Sequence, residues 1–186
     1  MIPRYSRAEM TALWSDATRF GRWLEIELLA TEAHVELGVV PAADAATCRA
    51  AAPTTDEAFV AAVAEREAVT DHDVAAFVDV VQAAIGPAGS WIHYGLTSSD
   101  VVDTALCMAM RDAAELMLDA VDTLIAATVR LAEEHRTTLM IGRTHGIHAE
   151  PTTFGVKCAL WALQLRRDRR RLVTARDTVA VCKLSG

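Results

Sequence analysis

Residues 142–154 hold the densest group of side chains that could do chemistry. His145 and His148 stand three positions apart, among threonines, glycines and a proline. A histidine titrates near neutral pH, so either ring could transfer a proton during catalysis. The spacing could also hold a metal on a helix, but no third ligand stands nearby, which makes a metal site the weaker hypothesis. An ordinary capped turn between helices explains the segment equally well on spacing alone.

Hydroxyl side chains directly precede the longest helical pattern of the sequence. Thr97, Ser98 and Ser99 are followed by Asp100. Serine or threonine at this position caps a helix, and an early aspartate complements the helix dipole. The same hydroxyls, with the first free N–H groups of the helix, could bind a carboxylate or phosphate. The two interpretations are compatible.

Two shorter segments complete the set of candidates. His72 lies between Asp71 and Asp73 at a predicted helix start, where it could be a cap or a titrating group. Arg4 and Tyr5 could bind a phosphate and stack on a base, although chain ends are often merely solvated.

Composition restricts the class of protein. The chain is 52% apolar and 23% charged with a net charge of −7, which is typical of a globular protein and argues against nucleic-acid binding. We expect the arginines of residues 166–171 to be solvated and paired with Asp168 and with neighbouring helices. No run of 18 uncharged apolar residues predicts a membrane span, and no signal-peptide pattern opens the chain, so a cytoplasmic location is expected. The four cysteines lack CxxC spacing and are expected to be buried thiols.

Apolar periodicity predicts an all-α fold that would position these residues. Helices are expected over residues 18–37, 42–51, 55–66, 70–85, 98–135 and 152–184, with a loop over 138–151. The fifth helix would be roughly 57 Å long, and its broad apolar stripe requires other long helices as partners, in this chain or in another. We predict a small helical N-terminal domain at 1–95 and the first long helices of a central bundle at 96–186. The abrupt end suggests that the chain continues past Gly186.

Taken together, the four segments resemble the fumarase/aspartase superfamily and, within it, the adenylosuccinate lyase family. The matching segments occur in the family's order, and they are Arg4-Tyr5-Ser6, His72-Asp73-Val74-Ala75-Ala76-Phe77, His93-Tyr94-Gly95-Leu96-Thr97-Ser98-Ser99-Asp100 and Gly142-Arg143-Thr144-His145-Gly146-Ile147-His148-Ala149-Glu150-Pro151. The resemblance implies a homotetramer with a shared core of long helices and active sites built from three subunits. It also implies β-elimination of fumarate from adenylosuccinate and from the succinyl-carboxamide ribotide, with no cofactor and no metal.

The resemblance also assigns roles to residues. His145 would protonate the leaving amino group, while His72 assists from the phosphate side. Thr97 and Ser98 would bind the succinyl part. The remaining expected substrate contacts are Arg4, Tyr5, Asp71, Asp73 and Thr144. Many family members carry arginine where this chain has Asp71, which puts a contact by Asp71 in question.

One expected part of the catalytic machinery is missing from these 186 residues. The family's serine loop, which supplies the base, has no counterpart in the sequence, so the chain alone is expected to be inactive. Two kinds of alternative stay open. One is another superfamily lyase, such as carboxymuconate cycloisomerase or argininosuccinate lyase, and the other is a non-catalytic helical assembly module.

Overall fold

A computed structural model describes residues 2–186. Within that range the chain forms seven α-helices and one two-stranded sheet, so the all-α prediction is confirmed apart from this small sheet. The α-helices are α1 Ala8–Leu13, α2 Asp16–Glu36, α3 Ala42–Ala50, α4 Glu57–Thr70, α5 Asp73–Ile85, α6 Ser98–Glu134 and α7 Phe154–Val179. Short 3₁₀ helices occupy Pro3–Tyr5 and Pro87–Trp91. None of the described helices has the length and apolar character needed to cross a membrane.

The predicted helix boundaries needed several corrections. Helix α2 begins before Thr18 because Ser15 is its cap and accepts the Thr18 N–H at 3.2 Å. Helix α4 is capped by Asp56, which accepts the Phe59 N–H at 2.9 Å, and it continues to Thr70. Helix α7 ends at Val179. The prediction that it reaches residue 184 is wrong.

The described chain folds as two compact units, and α6 contributes residues to both. The first unit comprises residues up to 112 together with 179–186. Its core is an aromatic cluster of Phe20, Trp23, Phe59 and Phe77, in which ring centroids lie 5.2–6.0 Å apart. These side chains are buried, so three of the chain's four phenylalanines serve one core.

The second unit, residues 113–178, contains the end of α6, the sheet and α7. Gly155 sits where α7 starts against the end of α6. A Cβ on Gly155 would lie 2.6 Å from the Ala132 carbonyl oxygen and 2.7 Å from the Arg136 Cα. The buried Cys158 and Ala162 continue the same face of α7. Small side chains therefore allow the two helices to approach closely.

The predicted loop between α6 and α7 is instead a β-hairpin. Strands β1 (Leu139–Thr144) and β2 (Ile147–Thr153) pair antiparallel, with an irregularity between Ile141 and Arg143. The intervening residues His145 and Gly146 have φ values of 52° and 78°, the left-handed pair that a tight two-residue hairpin turn requires. Thr152 thus belongs to a strand, and the helix start predicted there is displaced to Phe154.

Candidate functional site

His72 occupies the junction between α4 and α5. Asp71 ends α4 in the left-handed conformation (φ 50°), and Asp73 begins α5. The Nδ1 atom of His72 accepts the Ala75 N–H at 3.3 Å, which confirms the predicted cap. Because Nδ1 accepts, the ring proton of the neutral form lies on Nε2. Asp73 accepts the Val74 N–H at 2.8 Å. The His72 ring is half exposed, and its Nε2 makes no hydrogen bond to any residue in the range 2–186.

Asp100 anchors the start of α6 from inside the fold. One carboxylate oxygen accepts the Thr97 N–H at 3.0 Å, in the manner of a capping box. The other accepts the Gly186 N–H at 3.0 Å and the Lys183 Nζ at 3.3 Å. These donors, led by the Thr97 N–H, lower the pKa of Asp100 to about 2. The buried carboxylate therefore stays ionised and fixes the turn before α6.

Residues near Gly186 return to this turn. Lys183 donates from Nζ to the Ser99 hydroxyl at 2.7 Å, and its backbone bonds in both directions with the Thr104 hydroxyl. Ser99 is thus engaged within the protein. The hydroxyls of Thr97 and Ser98 make no hydrogen bond to any residue in the range 2–186. They stand at the positive end of a 37-residue helix, where an anion would be stabilised.

Thr144 and His145 lie at the tip of the β-hairpin. Both are exposed, and the left-handed backbone of His145 is fixed by the two-residue turn. His148 pairs with Arg143 across the ladder. The hairpin therefore presents His145 on a defined turn rather than on an irregular loop.

The 3₁₀ helix Pro3–Tyr5 holds the two residues predicted to bind a nucleotide. The Arg4 guanidinium lies 4.7 Å from the centroid of the Tyr5 ring, and the ring is exposed. The structure thus brings Arg4 and Tyr5 together in a cation–π contact.

Comparison with known proteins identifies the family. Residues 4–186 match a protein-family model described as Lyase. The chain belongs to this lyase family. It is 45% identical over all 186 residues to the adenylosuccinate lyases of Bacillus subtilis (strain 168) and Aquifex aeolicus (strain VF5), and it spans 42% of the length of each.

The fold of this chain is also similar to those of solved lyase-family structures. The fumarate lyase of Mesorhizobium sp. BNC1 superposes with a TM-score of 0.88 at 32% identity, covering 98% of this chain and 44% of that one. The β-carboxy-cis,cis-muconate cycloisomerase of Acinetobacter calcoaceticus sp. ADP1 gives 0.89 at 29% identity, covering 97% and 43%. The predicted resemblance to fumarase/aspartase-type lyases is confirmed.

Sequence reasoning missed one buried acid in this chain. Glu27 of α2 is fully buried and lies 2.6 Å from the Nδ1 of His93. The hydrogen bond with Glu27 raises the pKa of His93 above its ordinary value, against the opposing effect of burial. The available signal was an acid on the apolar stripe of α2, between Leu24 and Leu28.

The predicted site residues fall into separate local groups. The first unit carries Arg4 with Tyr5, the group of Asp71, His72 and Asp73, and the turn of Thr97 and Ser98, while the second unit carries Thr144 and His145. Within residues 2–186, no cluster of three histidine, cysteine or acidic side chains is placed to hold a metal ion. The catalytic and binding roles stay predictions.

Proposed function

We propose that this chain is part of an adenylosuccinate lyase, which eliminates fumarate from adenylosuccinate to give AMP and from the succinyl-carboxamide ribotide of purine biosynthesis. The observation that carries the proposal is the 45% identity to two adenylosuccinate lyases along the whole chain. Identity to the structurally similar fumarate lyase and cycloisomerase is lower, at 32% and 29%.

The turn before α6 suits the succinyl part of such a substrate. Elimination removes a weakly acidic proton beside a carboxylate, so the charge that develops needs donors already in place. Thr97 and Ser98 offer free hydroxyls at the N-terminus of a long helix, and Asp100 holds their backbone. These residues would bind the carboxylate whose charge grows in the transition state.

His145 and His72 would act on different parts of the substrate. His145, exposed on the hairpin turn, would protonate the leaving amino nitrogen. His72 would donate from Nε2 toward the phosphate, because its Nδ1 is engaged with Ala75. Arg4 and Tyr5 would hold the nucleotide end. Further contacts would come from Asp71, Asp73 and Thr144.

The complete enzyme would be a cytoplasmic homotetramer whose sites combine residues from different copies of the chain. Support comes from large apolar side chains left exposed on α6 and α7, including Leu124 (49% exposed), Leu160 (61%) and Leu163 (50%). A monomer rarely leaves such a stripe in water. The base would come from a serine loop outside residues 1–186, so these residues alone would show no turnover.

The test measures fumarate release from adenylosuccinate by absorbance, with the complete gene product. We expect turnover by the complete product and none by residues 1–186. His145→Gln should lower kcat by about 10²–10⁴-fold, because the leaving nitrogen loses its acid. His148→Gln, three positions away on β2, is the matched control and should leave kcat unchanged. Full activity of His145→Gln, or equal losses in both variants, would remove His145 from the mechanism.

A second candidate is a superfamily lyase acting on another substrate. The TM-score of 0.89 to the cycloisomerase favours it. The same preparation should therefore be assayed with adenylosuccinate, carboxymuconate and argininosuccinate. We expect the highest kcat/KM with adenylosuccinate. Higher values with another substrate would replace the proposal, and no turnover with any of them would favour the non-catalytic helical module.

A further inference from the structure

Helix α2 turns a polar stripe toward residues 91–94. Glu27, Thr31 and His34 follow one another at helical spacing of four and three, so they share a face. Glu27 accepts the His93 N–H at 2.7 Å, and His34 donates from Nε2 to the Tyr94 carbonyl at 3.2 Å. Thr31 makes a longer contact, 3.5 Å, with the Trp91 carbonyl. Three side chains of one helix thus hold a single short segment.

Glu27 is the most constrained member of this polar stripe. A buried carboxylate is costly unless its charge is paired and both oxygens are bonded. Oε1 lies 2.6 Å from His93 Nδ1 and Oε2 accepts the His93 N–H, so both conditions are met when the His93 ring is a cation. Asp100 adds a second negative charge that acts on the same ring.

The backbone of His93 shows what these bonds achieve. His93 has φ 69°, a conformation that residues with a side chain seldom adopt without support. Gly95 follows at φ 76°, and a Cβ there would lie 3.2 Å from His34 Nε2. Residues 93–95 therefore pack closely against α2. The hydrogen bonds between Glu27 and His93 stabilise the unusual backbone conformation there.

This held segment leads directly into Thr97 and Ser98. We propose that Glu27 is a positioning residue of the lyase: by binding His93 through both ring and backbone, it holds the turn that presents the Thr97 and Ser98 hydroxyls. The proposal rests on the proposed function for its catalytic consequence. Its link between Glu27 and His93 stands on geometry alone.

The test uses Glu27→Gln in the complete gene product. Glutamine keeps the shape but removes the charge, so the turn loosens and His93 releases its proton at lower pH. We expect kcat/KM for adenylosuccinate to fall by about 10–100-fold, mainly through KM, as a small displacement of binding groups produces. The alkaline limb of the kcat/KM profile should also move to lower pH. Glu32→Gln is the matched control, because Glu32 is a carboxylate of the same helix that pairs with Arg49 at 2.8 Å, away from the turn.

A second readout does not depend on turnover. Titration of the His93 ring followed by NMR should give a lower pKa in Glu27→Gln than in the wild type and in Glu32→Gln. If the wild type fails to cleave adenylosuccinate, the proposed function falls, while this titration still decides whether Glu27 controls His93. If Glu27→Gln does not fold, Glu27→Asp takes its place. Because aspartate keeps the charge but is shorter, this variant should keep the wild-type alkaline limb of the kcat/KM profile and still have a higher KM than the wild type.

One result would overturn the inference. This result is a Glu27→Gln variant, or Glu27→Asp in its place, that lowers only the melting temperature. If KM, the alkaline limb and the His93 titration then match those of Glu32→Gln, Glu27 is a purely structural ion-pair partner.

Discussion

The two compact units bury their side chains in different ways. The first unit encloses large aromatic rings, with Trp23 at 2% exposure and Phe77 at 0%. The second unit buries mainly small residues of α7, while Trp161 on the same helix remains 45% exposed. The first unit therefore has a core of its own. The long helices of the second leave large apolar side chains exposed, among them Leu124 and Leu160.

The largest expected effect tests this difference directly. Phe77→Ala should destabilise the first unit by about 3–5 kcal/mol, because it removes a buried ring that contacts three others. Trp161→Ala, an equally drastic truncation in the second unit, should cost less than about 1 kcal/mol in the isolated chain. Urea unfolding with hydrogen exchange resolves the two units. Similar losses in both variants would contradict the comparison.

A smaller effect concerns the glycines within described α-helices, Gly21 in the first unit and Gly155 in the second. Gly155→Ala should destabilise by about 1–3 kcal/mol, since the added methyl meets the backbone of α6 at Ala132 and Arg136. Gly21→Ala in α2 meets only the Thr55 Oγ1 at 3.1 Å, a side-chain atom that can rotate away. It should stabilise by about 0.5–1 kcal/mol through helix propensity. Thermal unfolding of both variants gives the sign, and a stabilised Gly155→Ala would show that the helices can separate.

Much of this architecture could be predicted from local patterns. Gly38 has φ 71° directly after α2, as its predicted position at the helix end requires. The start of α6 at Ser98 and the His72 cap also follow from neighbours in sequence. The pair of Arg171 with Asp168, three residues away on α7, was predictable as well. For Arg169 only a partner on a neighbouring helix was predicted, and that partner is Asp122 on α6. Each of these features depends on propensity, capping or charge.

The β-hairpin could not be predicted in the same way, and neither could the buried ion pairs that hold the turn before α6. The turn residues His145 and Gly146 lack the Asn-Gly signal of a two-residue hairpin, and Pro151 weakens the strand pattern. Glu27 and His93 are 66 residues apart in sequence, and Lys183 and Asp100 are 83 apart. Their pairing appears only when tertiary structure brings distant segments together.

The pH dependence of stability should reflect Asp100. Its folded pKa, about 2, lies below the value of about 3.9 for an unfolded aspartate. The stabilisation is therefore present above the unfolded value and is lost as pH falls through the folded pKa. Between about pH 5 and pH 2, the melting temperature should fall more steeply for the wild type than for Asp100→Asn. The variant should already have the lower melting temperature at about pH 5. Parallel curves would show that Asp100 does not carry this dependence.

The smallest effects compare ion pairs of the two units. Arg22 pairs with Asp112 at 3.0 Å in the first unit, and its side chain is only 11% exposed and also donates to the Leu13 carbonyl. Arg169 pairs with Asp122 at 2.6 Å in the second, where both side chains are more than 40% exposed. Its hydrogen bond lowers the pKa of Asp122, yet water and salt screen such a pair.

We therefore expect Asp112→Asn to lower the melting temperature at neutral pH more than Asp122→Asn does. Added salt should abolish the small effect of Asp122→Asn and leave most of the effect of Asp112→Asn, because burial protects the Arg22 pair from screening. Equal, salt-sensitive shifts in both variants would mean that the first unit gains no more from its ion pair than the second, and that the contrast between the units lies in apolar packing alone.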